Sequence, residues 1–442
     1  MKVIFKKENS KLFVPYSVYW LLITRALSTF GASMTIFTIN IWVFEKTRSY
    51  ALFATMILLS LLPNLVLAPI VGVIVDNYNK KYLLAACEGI TALIVFFALI
   101  IFLNNSFGLF QACCVTFALS TVSSFRWTLM GATIGNIVPS KLLTHVNGIE
   151  QSLAGVVEIG APLIGAVMLY SLGPEWVFST DILTSIAALV TIIMVLNGKL
   201  LAPIKTQKIN IGFLHNALYG VRWIIKNPRS FRLLIFTTTY NFAGGVFTVS
   251  FIPHFLSFSS KESLGVALAL EGAGALLGGI LIAKIQYLGN RLEQFIYLYA
   301  SIFGVLMIIW GGIRSDIGGF IVVIFSGMVV SMLIATAQTI WQMDVPSEIQ
   351  GKVFAARRMI SYSLIPLATL LSIPFSKYIT DFLIGNSPLL QKIWGTGGSA
   401  GLGMLLSILG IILVIVSLFT LYRARKYIFT ISTVNSKESF LS

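Results

Sequence analysis

Apolar residues in this chain come in long runs, each about one bilayer crossing in length, separated by short polar breaks. A helix needs roughly 20 apolar residues to span the hydrocarbon core. That window predicts spans near 18–44, 51–75, 82–103, 108–136, 149–171 and 176–197. After a polar stretch it predicts six more, near 230–256, 263–284, 293–314, 318–343, 357–380 and 401–422. The reading is an all-α polytopic membrane protein of twelve transmembrane helices in two six-helix bundles. Its parts are an N-tail 1–17, a bundle 18–198, a linker 199–229, a second bundle 230–422 and a C-tail 423–442.

The linker has a pattern of its own. In "IGFLHNALYGVRWIIKNP" apolar residues recur at Leu214, Ala217, Leu218, Val221, Ile224 and Ile225, with Arg222 and Lys226 opposite and Pro228 ending the run. This spacing predicts an amphipathic helix on the membrane surface. The loop after the fourth span reads "VPSKLLTHVNGIEQSL" and the loop after the tenth "VPSEIQGKVFAARRMI". A shared "VPS" at matching places in a six-plus-six layout points to two related halves.

Composition agrees. The chain is 57% apolar and 11% charged, with a mean hydropathy of +0.90, where a soluble domain carries about 25% charged residues. The net charge of +15 therefore points to basic loops on one side of a bilayer rather than to nucleic acid. With the N-terminus inside, the cytoplasmic side collects 23 basic residues, among them Lys80, Lys81, Lys141, Lys284, Arg291 and Lys352. The other side receives six: Lys46, Arg48, Lys261, Arg314, Lys377 and Lys392. The positive-inside bias puts both termini in the cytoplasm. The apolar run from Val18 to Phe44 is too long for a signal peptide's core and reads as a retained first span. Cys87, Cys113 and Cys114 all lie in apolar runs, and the three histidines are far apart, so neither a metal site nor a disulfide framework is expected. No nucleophile–base pair, phosphate loop or cofactor motif stands out, which argues against a membrane enzyme or direct ATP coupling.

Between the second and third spans the chain reads Gly72-x-x-x-Asp76-x-x-x-Lys80-Lys81. This resembles the loop signature of the major facilitator superfamily, Gly-x-x-x-Asp-Arg-x-Gly-Arg-Arg/Lys, with Asn77 and Asn79 in place of the usual Arg and Gly. "SLLPNLVLAPIVG", "VNGIEQ", "GVRWIIKNPRSFRLL" and "VPSEIQGKVF" are similar to the branch of macrolide efflux permeases and siderophore exporters. The resemblance implies that Asp76 helps latch the two halves on the cytoplasmic side, with Arg357 and Arg358 as the nearest basic candidates. Lys80 and Lys81 are either gating partners or anchors. In the fifth span, Gly155, Gly160, Pro162 and Gly165 resemble the superfamily's antiporter motif, with Ala161 and Ala166 replacing two glycines.

Charges within spans are costly unless paired or hydrated, and so are functional candidates. Arg126 and Glu158 stand equidistant from the loop at Leu142, which makes an Arg126–Glu158 pair plausible, structural or switching. Glu271, mid-span with no local basic partner, is a proton-coupling candidate, because a carboxyl in that setting can exchange protons as its surroundings change. Asp181 and Glu293 are expected at the interface. Ala32 follows Gly31 where related exporters often carry an acid, which turns attention to Glu158 and Glu271. Phe30, Asn40, Trp42, Tyr240, Asn241, Phe242 and Phe247 are cavity candidates. The expected function is proton-coupled efflux of an amphiphilic small molecule by a monomer in a bacterial inner membrane. An importer, a facilitator, a lipid transporter and a non-transporting sensor of the same fold are the alternatives.

Overall fold

Residues 13–196, 218–285, 291–396 and 398–438 are described in a computed structural model of the chain. Among these residues the chain is helical almost throughout and contains no strand. The first bundle comprises α1 (Tyr16–Thr47), α2 (Tyr50–Val66), α3 (Ala68–Asn77), α4 (Lys80–Leu103), α5 (Leu109–Ile137), α6 (Leu143–Ser171) and α7 (Pro174–Val195). A short α8 (Tyr219–Lys226) leads into α9 (Pro228–Leu256), α10 (Lys261–Lys284), α11 (Leu292–Gly312), α12 (Asp316–Asp344) and α13 (Gln350–Tyr378). After α14 (Pro388–Trp394), α15 (Gly398–Glu438) is the last element.

These elements make twelve crossings, because α2 and α3 together form the second. Pro63 lies inside α2 and Pro69 in the first turn of α3, and the helix breaks between them at Leu67 because a proline removes a donor and crowds the preceding turn. Among the described residues, nine helices are long and apolar enough to cross alone. The α2–α3 pair, α5 and α9 make up the rest. α5 carries Gln111, Arg126 and Asn136, and α9 carries Arg229, Arg232, Thr237 and Asn241. The final helix does not stop at 422; it runs on to Glu438, so most of the expected C-tail continues the helix.

Within the first bundle α1 packs on α6 and α7, and α4 packs on α5 and α7. In the second, α11 packs on α12 and α15, α10 on α12, and α9 on α13. Phe247, Phe251, Phe255 and Trp310 form an aromatic stack inside this bundle, with Phe251 and Trp310 parallel at 5.0 Å. The bundles meet through two helix pairs, α6 with α10 and α3 with α13, and through α12 against α6.

Apolar side chains gain little by leaving lipid for one another, so helices in a bilayer associate through close packing of small residues. The α6–α10 seam follows that rule. A Cβ added to Gly148 would lie 2.6 Å from the nitrogen of Ala283, and one added to Gly155 would lie 2.7 Å from that of Leu276. One on Gly279 would lie 2.4 Å from the nitrogen of Ser152. The seam starts at the end of the molecule that carries Lys80, Lys81, Lys141, Lys284 and Lys352, termed the basic end below. It reaches the middle of both helices, where Ile159 fills the place of a side chain at Gly272.

Of the expected amphipathic linker, Leu214 and Ala217 lie outside the described residues. The remainder is α8, whose Gly220 and Ile224 are buried. It packs on the second bundle: Gly220 seats against the carbonyl of Lys352 at the start of α13, and Tyr219 lies under the Lys352 ammonium. Asn227 ends α8 and Pro228 opens α9.

Candidate functional site

The loop at Gly72–Lys81 lies at the contact between the bundles. α3 delivers Asp76 to the first turn of α13, where its Oδ1 accepts the Gly351 N–H at 2.6 Å and its Oδ2 accepts the Lys352 N–H at 2.9 Å. The first N–H groups of a helix have no partner within it and carry partial positive charge, so a carboxylate from the other bundle satisfies both needs. Gly72 and Gly351 make the approach possible. A Cβ on Gly72 would fall 2.7 Å from the Lys352 Cα, and one on Gly351 would fall 2.5 Å from Asp76 Oδ1. Asn79 starts α4 by accepting the Lys81 N–H. Lys81 donates to the Ile193 carbonyl of its own bundle, while Lys80 is buried beside Asp76.

Arg357 and Arg358 do not reach Asp76, contrary to expectation. They stand almost two turns further along α13, about 10 Å at 1.5 Å per residue, and the backbone already satisfies the carboxylate. Both arginines instead line a cavity of about 70 Å³ between the bundles. Trp127 and Gly131 of α5, Asn147, Glu150 and Gln151 of α6, Tyr240 and Asn241 of α9, and Gln338 of α12 share its wall. Arg357 donates to Gln338 at 2.8 Å and lies over Trp341 at 5.1 Å; Arg358 lies over Trp127 at 4.6 Å. Arg25 of α1 is ion-paired with Glu150. Polar links cross the bundles here as well: Asn147 donates to Thr339 and Gln342, and Gln342 donates to the Gly131 carbonyl.

Of the cavity candidates, Tyr240 and Asn241 line this space, and Asn241 also donates to the Ser361 carbonyl. Phe247 belongs to the aromatic stack inside the second bundle and Phe242 packs on the same core. Trp42 packs on Phe107 near the opposite end, and Asn40, two residues before it, keeps its amide oxygen buried. Phe30 fills the space beside Gly160. Membership of a span does not say which face of a helix turns inward.

The fifth-span glycines divide their work. Gly155 faces α10, whereas Gly160 and Gly165 face Phe30 and Met34 of α1; Pro162 is exposed within α6. Glu158, exposed, and Glu271, half-buried, each stand one residue before the Ile159–Gly272 contact, where the glycine seam of α6 and α10 reaches mid-helix.

The Arg126–Glu158 pair is not formed. Arg126 is paired with Glu88 of α4, Nε to Oε1 at 3.1 Å, and donates to Thr91 at 2.9 Å; Glu88 also accepts from Ser28. α4 packs against α5 and brings both Glu88 and Thr91 to Arg126. Asp181 is not interfacial either. It is fully buried in α7, accepts from Ser185, and interacts with Arg126. Glu293 pairs with Arg229 at the basic end. Glu88 and Glu150 were missed, although "AACEGIT" and "NGIEQSL" each place one acid in or beside an apolar run. Like Glu271, each is a carboxyl within an apolar stretch and so is costly unless paired.

A family model described as Major Facilitator Superfamily matches residues 21–369. Macrolide efflux protein A of Streptococcus pyogenes is 25% identical over 384 residues, 85% of this chain and 92% of that protein. The protein of the same name from Enterococcus faecalis is 25% identical over 327 residues, 72% of this chain and 98% of its own length. Among solved structures, a human organic anion transporter aligns with a TM-score of 0.68 at 14% identity, covering 90% of this chain and 98% of that one. A bacterial homologue of the iron transporter ferroportin, in an outward-facing state, aligns with a TM-score of 0.65 at 12% identity, covering 90% and 99%. Both likenesses bear on the fold, and the fold, the Asp76 junction and the extent of the match agree that this chain belongs to the major facilitator superfamily of membrane transporters.

Proposed function

We propose that this transporter exports an amphiphilic small molecule, such as a macrolide-like drug, a siderophore or another secondary metabolite, in exchange for protons. The relatives named for macrolide efflux support export. The basic end is then cytoplasmic, in a bacterial inner membrane, and the protein works as a monomer. Alternating access is rocking of the two bundles about the cavity between them. In the conformation described here the α6–α10 and α3–α13 contacts close the cytoplasmic side. The observation behind proton coupling is the approach of Glu158 and Glu271, one from each bundle, at mid-depth where the seam must open. A carboxyl pair there changes its protonation as water and neighbours change.

The test uses inside-out vesicles with an acid interior and a pH-sensitive dye, challenged with macrolides, dyes and siderophores. Proton release on adding a compound, lost in Glu271→Gln, is the expected result. Compound movement that ignores the proton gradient, or that is unchanged in Glu271→Gln, would remove the coupling.

A further inference from the structure

The charge balance of the central cavity is not that of a site for a cation. Two guanidinium groups line it, Arg357 and Arg358, against one carboxylate, Glu150, which is paired with Arg25 behind it. Arg25 and Glu150 neutralise one another. Neither Arg357 nor Arg358 has an ion-pair partner among the described residues. Arg357 is only 9% exposed, and the Nε and Nη1 of Arg358 are shut off from solvent with no hydrogen-bond partner. An unpaired charge in such a place is costly, and most of what surrounds these two cannot compensate. Trp127, Trp341 and Tyr362 cover the guanidinium faces, which leaves the N–H edges. Gln338 occupies one edge of Arg357; the edge of Arg358 is free.

From this we infer that the cavity takes the anionic head of its substrate, a carboxylate held by Arg358 and Arg357, with the aromatic faces of Trp127 and Tyr362 against the adjoining apolar part. A guanidinium edge matches a carboxylate with two parallel hydrogen bonds, and stacking on aromatic rings holds that edge in place. At about 70 Å³ the cavity admits a head group and not a drug-sized body, which needs about 300 Å³ or more, so the rest of the molecule is accommodated when the bundles part. The inference rests on the export reading and narrows it: an amphiphilic acid is favoured over a cationic amphiphile, including a macrolide that carries a basic amino sugar.

The experiment uses the full-length protein in nanodiscs and three matched probes: pyrenebutyrate, its methyl ester, and its dimethylaminoethyl amide, which is cationic. Energy transfer from tryptophan to pyrene reports binding. The carboxylate is expected to bind at least about tenfold more tightly than the ester, the size of a charge-assisted hydrogen bond, and more tightly than the cation. Arg358→Gln and Arg357→Gln should each reduce that preference, while Arg358→Lys retains part of it, all with unchanged elution in size-exclusion chromatography. Equal binding of the three probes, no binding, or a preference unmoved by any variant would overturn the site. Transport of the same probes in proteoliposomes separates the two readings. Carboxylate-selective binding without transport upholds the site and removes the exporter. Transport of the cation with no carboxylate preference overturns the site and leaves the exporter standing.

Discussion

Asp76 in the first bundle and Gly351 in the second are joined by a hydrogen bond of 2.6 Å from the Gly351 N–H to the aspartate Oδ1. A second bond, from Lys352, engages the other oxygen. The carboxylate thus caps a helix of the opposite bundle, and under the rocking proposed above the contact breaks when the basic end opens. Hydrogen bonds to a charged group contribute about 1.5–3 kcal/mol. Asp76→Ala is therefore expected to shift the balance toward opening at this end by about tenfold or more. Asp76→Asn keeps an acceptor and should shift it less. Labelling of a cysteine placed beside the junction, compared between the variants, checks this ordering.

The α6–α10 seam gives a steric version of the same experiment. Gly279→Ala places a methyl group 2.4 Å from the Ser152 nitrogen, and backbone on both sides gives it nowhere to go. The closed arrangement should lose about 1–3 kcal/mol, as overpacking does, and water-soluble thiol reagents should reach the seam from the basic end more readily. Gly244→Ala is the control, because no atom lies within 4 Å of its added methyl. It is expected to leave accessibility unchanged and to raise the melting temperature slightly, since alanine is the better helix former.

The twelve crossings could be read from the sequence because the bilayer imposes a length on every helix, and the Asp76 loop could be read because its spacing is local. Side-chain partners across helices could not. A helix that is apolar all round does not signal which face turns inward, so equal distance from Leu142 suggested Glu158 for Arg126 when α4 supplied Glu88. For the same reason nearness to a helix end suggests the membrane interface for Asp181, although it is fully buried. The nearness of Arg357 and Arg358 in sequence to the start of α13 suggests the junction. Helical rise carries them past it into the cavity.

The proposed role of Glu158 and Glu271 predicts a pH dependence. When both are ionised their like charges repel across the place where α6 and α10 meet, which favours parting of the helices. Protonation of either removes the repulsion and favours the closed seam. Lowering the pH is thus expected to reduce accessibility at the basic end, by about tenfold if the repulsion is near 1.4 kcal/mol. Glu271→Gln should hold the protein in the low-pH behaviour at all pH values. Glu158→Gln should do the same, and the double variant should add little to either, because both act on one interaction. Distance measurements between spin labels on the two bundles, taken across a pH series, would show it; additive effects would mean the two carboxyls act separately.

The Glu88–Arg126 pair is expected to matter for stability more than for access. It lies wholly within the first bundle, with side chains only 2% and 7% exposed; Ser28 donates to Glu88 and Arg126 donates to Thr91. Removing one member leaves the other charge buried without its partner, which costs about 3–5 kcal/mol. Glu88→Ala and Arg126→Ala should each lower the melting temperature markedly. Arg126→Ala has the further effect of leaving Glu88 and Asp181 without the cation both interact with, so it should be the worse of the two. A double replacement by Glu88→Gln and Arg126→Met removes both charges at similar volume and should recover part of the loss. Thermal unfolding followed by size-exclusion chromatography measures all three. Equal melting of the single variants and the unaltered protein would show that the pair is hydrated rather than buried.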